Sequence, residues 1–154
     1  METATIGSSI RSALISEIVE LNGDVGKVVA GLNDDQLWKK PLAQSNSVGH
    51  LILHLTGNLN HFVGAQLGHS SYVRDREREF TEPSPMARAQ LIAGLDDAVA
   101  TFRRVVGGLS DTQLLEQHPH QTFGTVLKCL IHLIAHFALH RGQMSYITRL
   151  VLAA

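Results

Sequence analysis

From Ile6 onward, apolar residues recur every three or four positions: Ile10, Leu14, Ile18, Leu21, Val25, Val28, Val29 and Leu32. That spacing predicts an amphipathic helix of about seven turns. Gly31 is placed to cap its C-terminus, and Gly23 and Gly26 mark candidate points of close packing against a neighbour. Asn33-Asp34-Asp35-Gln36-Leu37-Trp38 then reads as a capped single turn ended by Pro41, with Trp38 as a plug over the bundle end. A second helix, capped by Ser45 or Ser47, runs to about Gly68. On pattern alone the polar run Arg74-Asp75-Arg76-Glu77-Arg78-Glu79-Phe80 is a solvated connection. Ser84 as N-cap and Pro85 in the first turn open a third helix. It carries Leu91, Leu95, Ala98, Val99, Phe102, Val105 and Val106 and ends at Gly107-Gly108.

The last helix is predicted from an N-cap at Thr122 through Leu152. Its apolar positions, among them Val126, Leu130, Ile131, Leu133, Phe137, Met144, Ile147 and Leu150, wrap most of the circumference. A helix apolar nearly all round belongs at the buried centre of a bundle. Gly31-Leu32-Asn33-Asp34-Asp35-Gln36-Leu37 is echoed by Gly108-Leu109-Ser110-Asp111-Thr112-Gln113-Leu114. Each copy follows an amphipathic helix and precedes a histidine-bearing one, which would place the second and fourth helices together. No strand-like alternation of useful length occurs. The prediction is all-α: a single domain over residues 1–154, a four-helix bundle with one long crossover between helices 2 and 3.

Composition narrows the partners. With 13 basic and 14 acidic residues, no charge imbalance points to nucleic acid or an anionic membrane. The longest apolar runs are broken by Lys128 and by histidines, too soon for a spanning helix, and no cleavable leader is visible. The single cysteine, Cys129, permits no internal disulfide and suits a reducing compartment. The expectation is a cytoplasmic protein.

The chemistry lies in the histidines. His132, His136 and His140 are four residues apart, so they share one stripe of the last helix together with Gln143. His50, His54 and His61 form a similar stripe on the second helix. Such residues can be core histidines, each satisfied by a hydrogen bond. Two facing histidine stripes in one small bundle favour a divalent metal instead, because imidazoles at i and i+4 offer two nitrogens to one ion. Three neutral nitrogens with an open position are the catalytic or substrate-binding pattern; a closed structural zinc site ordinarily has four protein ligands. Neither stripe carries a carboxylate, which argues against the di-iron arrangement of ferritin-like bundles. Phosphate-binding loops, nucleophile elbows and the His-Glu-x-x-His motif are absent from the sequence. From helix geometry alone, His132 is open to being a ligand, a support for the ligands or a core residue.

These residues carry a resemblance. His54 in Leu53-His54-Leu55, and His136-Phe137-Ala138-Leu139-His140-Arg141-Gly142-Gln143, are similar to the motifs of the DinB/YfiT-like superfamily of small bundle proteins. The stretch Ser47 to Asn58 and the run Arg74 to Phe80 resemble one uncharacterised branch of it. The resemblance implies a divalent metal (zinc, nickel, iron or manganese) held by His54, His136 and His140. His50, Asn58, His132 and Gln143 are then candidates to line the pocket or to support the ligands from behind. It also implies that homodimers are common, and that some members transfer low-molecular-weight thiols to electrophiles. No protein nucleophile or catalytic base is assigned. Thiol transfer, metal-dependent hydrolysis and a non-catalytic metal-binding or interaction role are the three readings carried forward, with thiol transfer ahead of hydrolysis for want of a carboxylate on either stripe.

Overall fold

Capping side chains determine where the helices begin. Thr5 accepts a hydrogen bond from the Ser8 amide and Ser8 bonds back to it, opening α1 (Ile6–Val29). The computed structural model describes residues 5–82 and 85–154. The two echoed segments fold alike: Asn33 with Gln36 caps α2 (Asp34–Trp38), and Ser110 with Gln113 caps α6 (Asp111–Leu115), each in a reciprocal capping box. Ser47 caps α3 (Val48–Leu59), which continues as a π-helix over Asn60–Ala65. A short α4 (Arg78–Thr81) lies within the crossover to α5 (Arg88–Gly107), and α7 (Val126–Ala153) closes the chain. Among the described residues there is no strand, only an isolated bridge between Gln117 and Thr125. None of their helices is long and apolar enough to cross a membrane.

The four long helices α1, α3, α5 and α7 form the bundle. α1 and α3 each pack against both α5 and α7, so the two histidine-bearing helices are neighbours, as the repeat predicts. Ile18, Leu51, Leu55, Leu95, Phe102, Leu130, Leu133 and Phe137 are wholly buried between them. Side chains of this size contribute roughly 1.5–3 kcal/mol each on burial, so this core is the main source of stability.

Several local expectations give way to packing. α7 is capped by Thr125, whose hydroxyl accepts from the Lys128 amide. Thr122 instead falls in a 3-10 turn, Gln121–Phe123, and Gly124 takes φ +74° to redirect the chain into the helix. Gly31 does not adopt a left-handed cap. The carbonyls just past the end of α1 are taken by Arg88, whose Nη1 donates to the carbonyl oxygens of Ala30 at 3.1 Å and Leu32 at 2.6 Å. Gly23 and Gly26 meet open space, not a close neighbour. Pro85 precedes α5, which starts at Arg88 after Ala87; the expected cap Ser84 lies outside the described residues. α7 is not buried all round either: Ile131, Leu139 and Tyr146 are 54%, 59% and 65% exposed. A helix at one corner of a four-helix bundle touches two neighbours, so one side faces outward however apolar it is.

Candidate metal centre

His54 stands one turn into α3 beyond His50 and is 5% exposed. Across the α3–α7 interface its Nε2 lies 3.1 Å from Nε2 of His136, which is 3.0 Å from Nε2 of His140. Ligand atoms of the three residues lie within 4.8 Å of one another. Among the described residues no other group of histidine, cysteine or carboxylate side chains gathers in this way.

Protonation decides what the cluster can hold. Nδ1 of His54 lies 2.8 Å from Glu79 Oε2, a carboxylate that only accepts, so this nitrogen carries the hydrogen and Nε2 the lone pair. Nδ1 of His140 lies 2.7 Å from Oε1 of Gln143 and donates to it, again leaving the lone pair on Nε2. Both lone pairs point at Nε2 of His136; a neutral His136 with its hydrogen on Nε2 donates to only one of them, whereas a cation between the rings would engage all three nitrogens. A charged imidazolium is disfavoured: burial, reinforced by His140 and His54, pushes the His136 pKa down to about 3, and burial also lowers that of His140. Nδ1 of His136 is buried without a hydrogen-bond partner. Imidazole nitrogens each about 2.0–2.1 Å from a shared ion lie roughly 3.0–3.4 Å apart, so the three residues fit a divalent metal.

The remaining candidates take different places. Asn58 is 7% exposed, and its amide Nδ2 lies 3.4 Å from His54 Nε2, at the edge of the cluster. His132 is exposed and lies outside the nitrogen cluster; its ring packs on Phe123 at 5.2 Å and stacks with His136 at 6.2 Å between centroids. His50 is buried away from the cluster, with Nδ1 2.7 Å from the Ser47 hydroxyl and its ring against the edge of Trp38. Trp38 covers this end of α3, as expected of a plug, and its indole N–H donates to the Met86 carbonyl. His61 leaves the histidine stripe because the α-helix ends at Leu59. In the wider π-turn its carbonyl accepts from Gln66, five residues on, and its ring lies against Phe62.

The sequence pattern hides Glu79 and Arg74. The run read as a solvated connection delivers a 6% exposed carboxylate to His54. Arg74 grips that carboxylate with Nε at 2.6 Å and Nη2 at 2.9 Å. Burial alone would raise the Glu79 pKa, but the hydrogen bonds from His54 and Arg74 outweigh it and hold the group ionised. A usable signal was Gly57, one turn past His54, where a Cβ would collide with the Glu79 carboxylate. A cavity of about 420 Å³ lies on the outer side of Gly57 and Glu79, but none of the histidines lines it.

Residues 15–151 match the family model described as mycothiol-S-transferase. The chain belongs to the mycothiol-S-transferase family. This is a DinB/YfiT-like family, in keeping with the resemblance carried by the last-helix motif. A crystal structure of a conserved protein from Enterococcus faecalis superposes with a TM-score of 0.77 at 16% identity, covering 93% of this chain and 97% of that one. At that identity the likeness concerns the fold alone. No curated protein matches the sequence.

Proposed function

We propose that this chain holds one divalent metal ion on His54, His136 and His140 and transfers a low-molecular-weight thiol, of the kind its family is named for, through its sulfur to an electrophile. The observation that supports the reading is the convergence of three Nε2 atoms at 3.0 and 3.1 Å, with two of the rings fixed in the tautomer that turns a lone pair inward. When bound there, the ion supplies positive charge that three neutral imidazoles leave uncompensated, and so favours a thiol as its thiolate, below the usual thiol pKa of about 8.5.

The chain's own residues limit the chemistry. Cys129 is buried and its thiol is pushed up to about 12 by burial, so the reacting sulfur comes from a cosubstrate. The thiol loses its proton to solvent and the sulfur bonds to the electrophilic carbon. The leaving group departs with its electron pair, or, in an addition, the neighbouring carbon takes up a proton. Hydrolysis ranks lower because it is best served by a free carboxylate base. The crossover does supply a carboxylate, but both oxygens of Glu79 are occupied by His54 and Arg74. Imidazole ligands alone do not choose among zinc, nickel, iron and manganese.

The test is spectroscopic. Adding a small thiol to cobalt-substituted protein should produce a sulfur-to-metal charge-transfer band in the near ultraviolet, titrating below a pH of about 8.5. His140→Ala should abolish it, and transfer to a chlorinated dinitrobenzene should track metal occupancy. Metal-loaded protein that binds no thiol yet cleaves esters would favour hydrolysis; protein that does neither would leave a non-catalytic metal-binding role.

A further inference from the structure

We infer that Glu79 is the positioning residue of the metal centre: seated on Gly57 and clamped by Arg74, it fixes His54 as the Nδ1–H tautomer and holds its ring with the Nε2 lone pair turned toward the other two histidines. The inference rests on the metal reading of the histidines and is independent of the thiol chemistry.

The three histidines have unequal outer partners. His54 donates to an ionised carboxylate at 2.8 Å, His140 to the neutral amide oxygen of Gln143 at 2.7 Å, and Nδ1 of His136 to nothing. Hydrogen bonds to an ionised acceptor are about twice as strong as neutral ones, and a carboxylate behind an imidazole both orients the ring and raises its basicity. The Glu79 carboxylate has little freedom. Arg74 holds it through two nitrogens, the Arg74 guanidinium lies 5.6 Å from the Phe62 ring centroid, and the Arg74 side chain is only 10% exposed. Gly57 leaves room for it on α3. The fold thus encloses a charged pair whose anion faces the one histidine that α3 contributes to the cluster. A buried pair gives little net stability, so retaining it here is better explained by its effect on His54.

E79Q separates positioning from bulk. The glutamine amide nitrogen would face either Nδ1 of His54, where a donor favours the opposite tautomer with the proton on Nε2, or Nε of Arg74, where it breaks the clamp and leaves His54 only a neutral acceptor. Titration of the full-length protein with zinc, in competition with a chromophoric chelator, should show E79Q weakened about 10–100-fold. Q143A should lose less, and G57A should move in the same direction as E79Q by displacing the carboxylate. Cobalt ligand-field bands should shift in E79Q, and apo E79Q should show a weakened or lost Nδ1–H hydrogen bond of His54 in its imidazole nitrogen resonances. If wild-type protein binds no zinc, the metal reading falls and this inference with it. If wild type binds and E79Q binds equally well with unchanged cobalt bands, the inference alone falls. Should E79Q fail to fold, metal-loaded wild type decides. A slowly exchanging proton on His54 Nδ1 is expected, and ligation through Nδ1 would overturn the assignment.

Discussion

At the scale of single residues, the proposed metal centre and the fold are separable. His136 and His140 lie on α7 beside Phe137, which fills the core, so replacing either histidine by alanine removes a proposed ligand and leaves a modest cavity. We expect His136→Ala and His140→Ala to lose bound metal while keeping the far-ultraviolet circular dichroism of a helical protein. His50→Ala and His132→Ala should keep the metal, because neither side chain reaches the nitrogen cluster; elemental analysis of the purified variants checks both statements. The i, i+4 pair His136 and His140 was legible in sequence because one uninterrupted helix fixes its geometry. Glu79 was not legible, because an alternating charged run looks the same whether its carboxylates face water or a buried histidine. Only the path of the crossover over Gly57 distinguishes the two.

Among the elements, the departures from simple periodicity have physical causes that can be measured. The π-turn leaves the Phe62 carbonyl without its usual helical partner, and the buried His118 takes it through Nε2 at 3.0 Å while its Nδ1 accepts from the His120 amide. The extrapolated stripe put His61 with His54 because a π-turn has no sequence signature as clear as a proline or a cap. His118 must remain neutral here: burial lowers its pKa from 6.5, and burial followed by Lys40 lowers that of His50. For groups depressed in the fold, the stabilising contribution is complete above the unfolded pKa of about 6.5 and is lost as pH falls below it. Melting temperature should therefore decline as pH drops below about 6.5, and the slope should be shallower in His118→Phe, measured by differential scanning calorimetry on metal-free protein. Thr125→Ala, which removes the cap of α7, should cost about 1 kcal/mol and lower the midpoint by roughly 2–4 °C.

For the whole molecule, the all-helical bundle and its long crossover follow from periodicity and from the echoed capped turns, and both are present. The outward face of α7 could not be predicted, because composition around a helix does not say how many neighbours it will have. α7 nevertheless packs against both α1 and α3 and contributes Leu130, Leu133, Phe137 and Met144 to the core. Truncation after Gly124 should thus leave an unfolded or aggregating chain, and a soluble, cooperatively melting fragment would contradict the packing described. Zinc at 100 times its dissociation constant should raise the stability of the intact chain by about 2.7 kcal/mol if it binds only the folded state. The central claim is that His54, His136 and His140 share one ion. An anomalous-difference map from crystals of metal-loaded protein, collected at the absorption edge of the added metal, tests it most directly. The account predicts a single strong peak about 2.0–2.1 Å from all three Nε2 atoms; a metal-loaded crystal with no peak there, or with its peak elsewhere on the molecule, would contradict it.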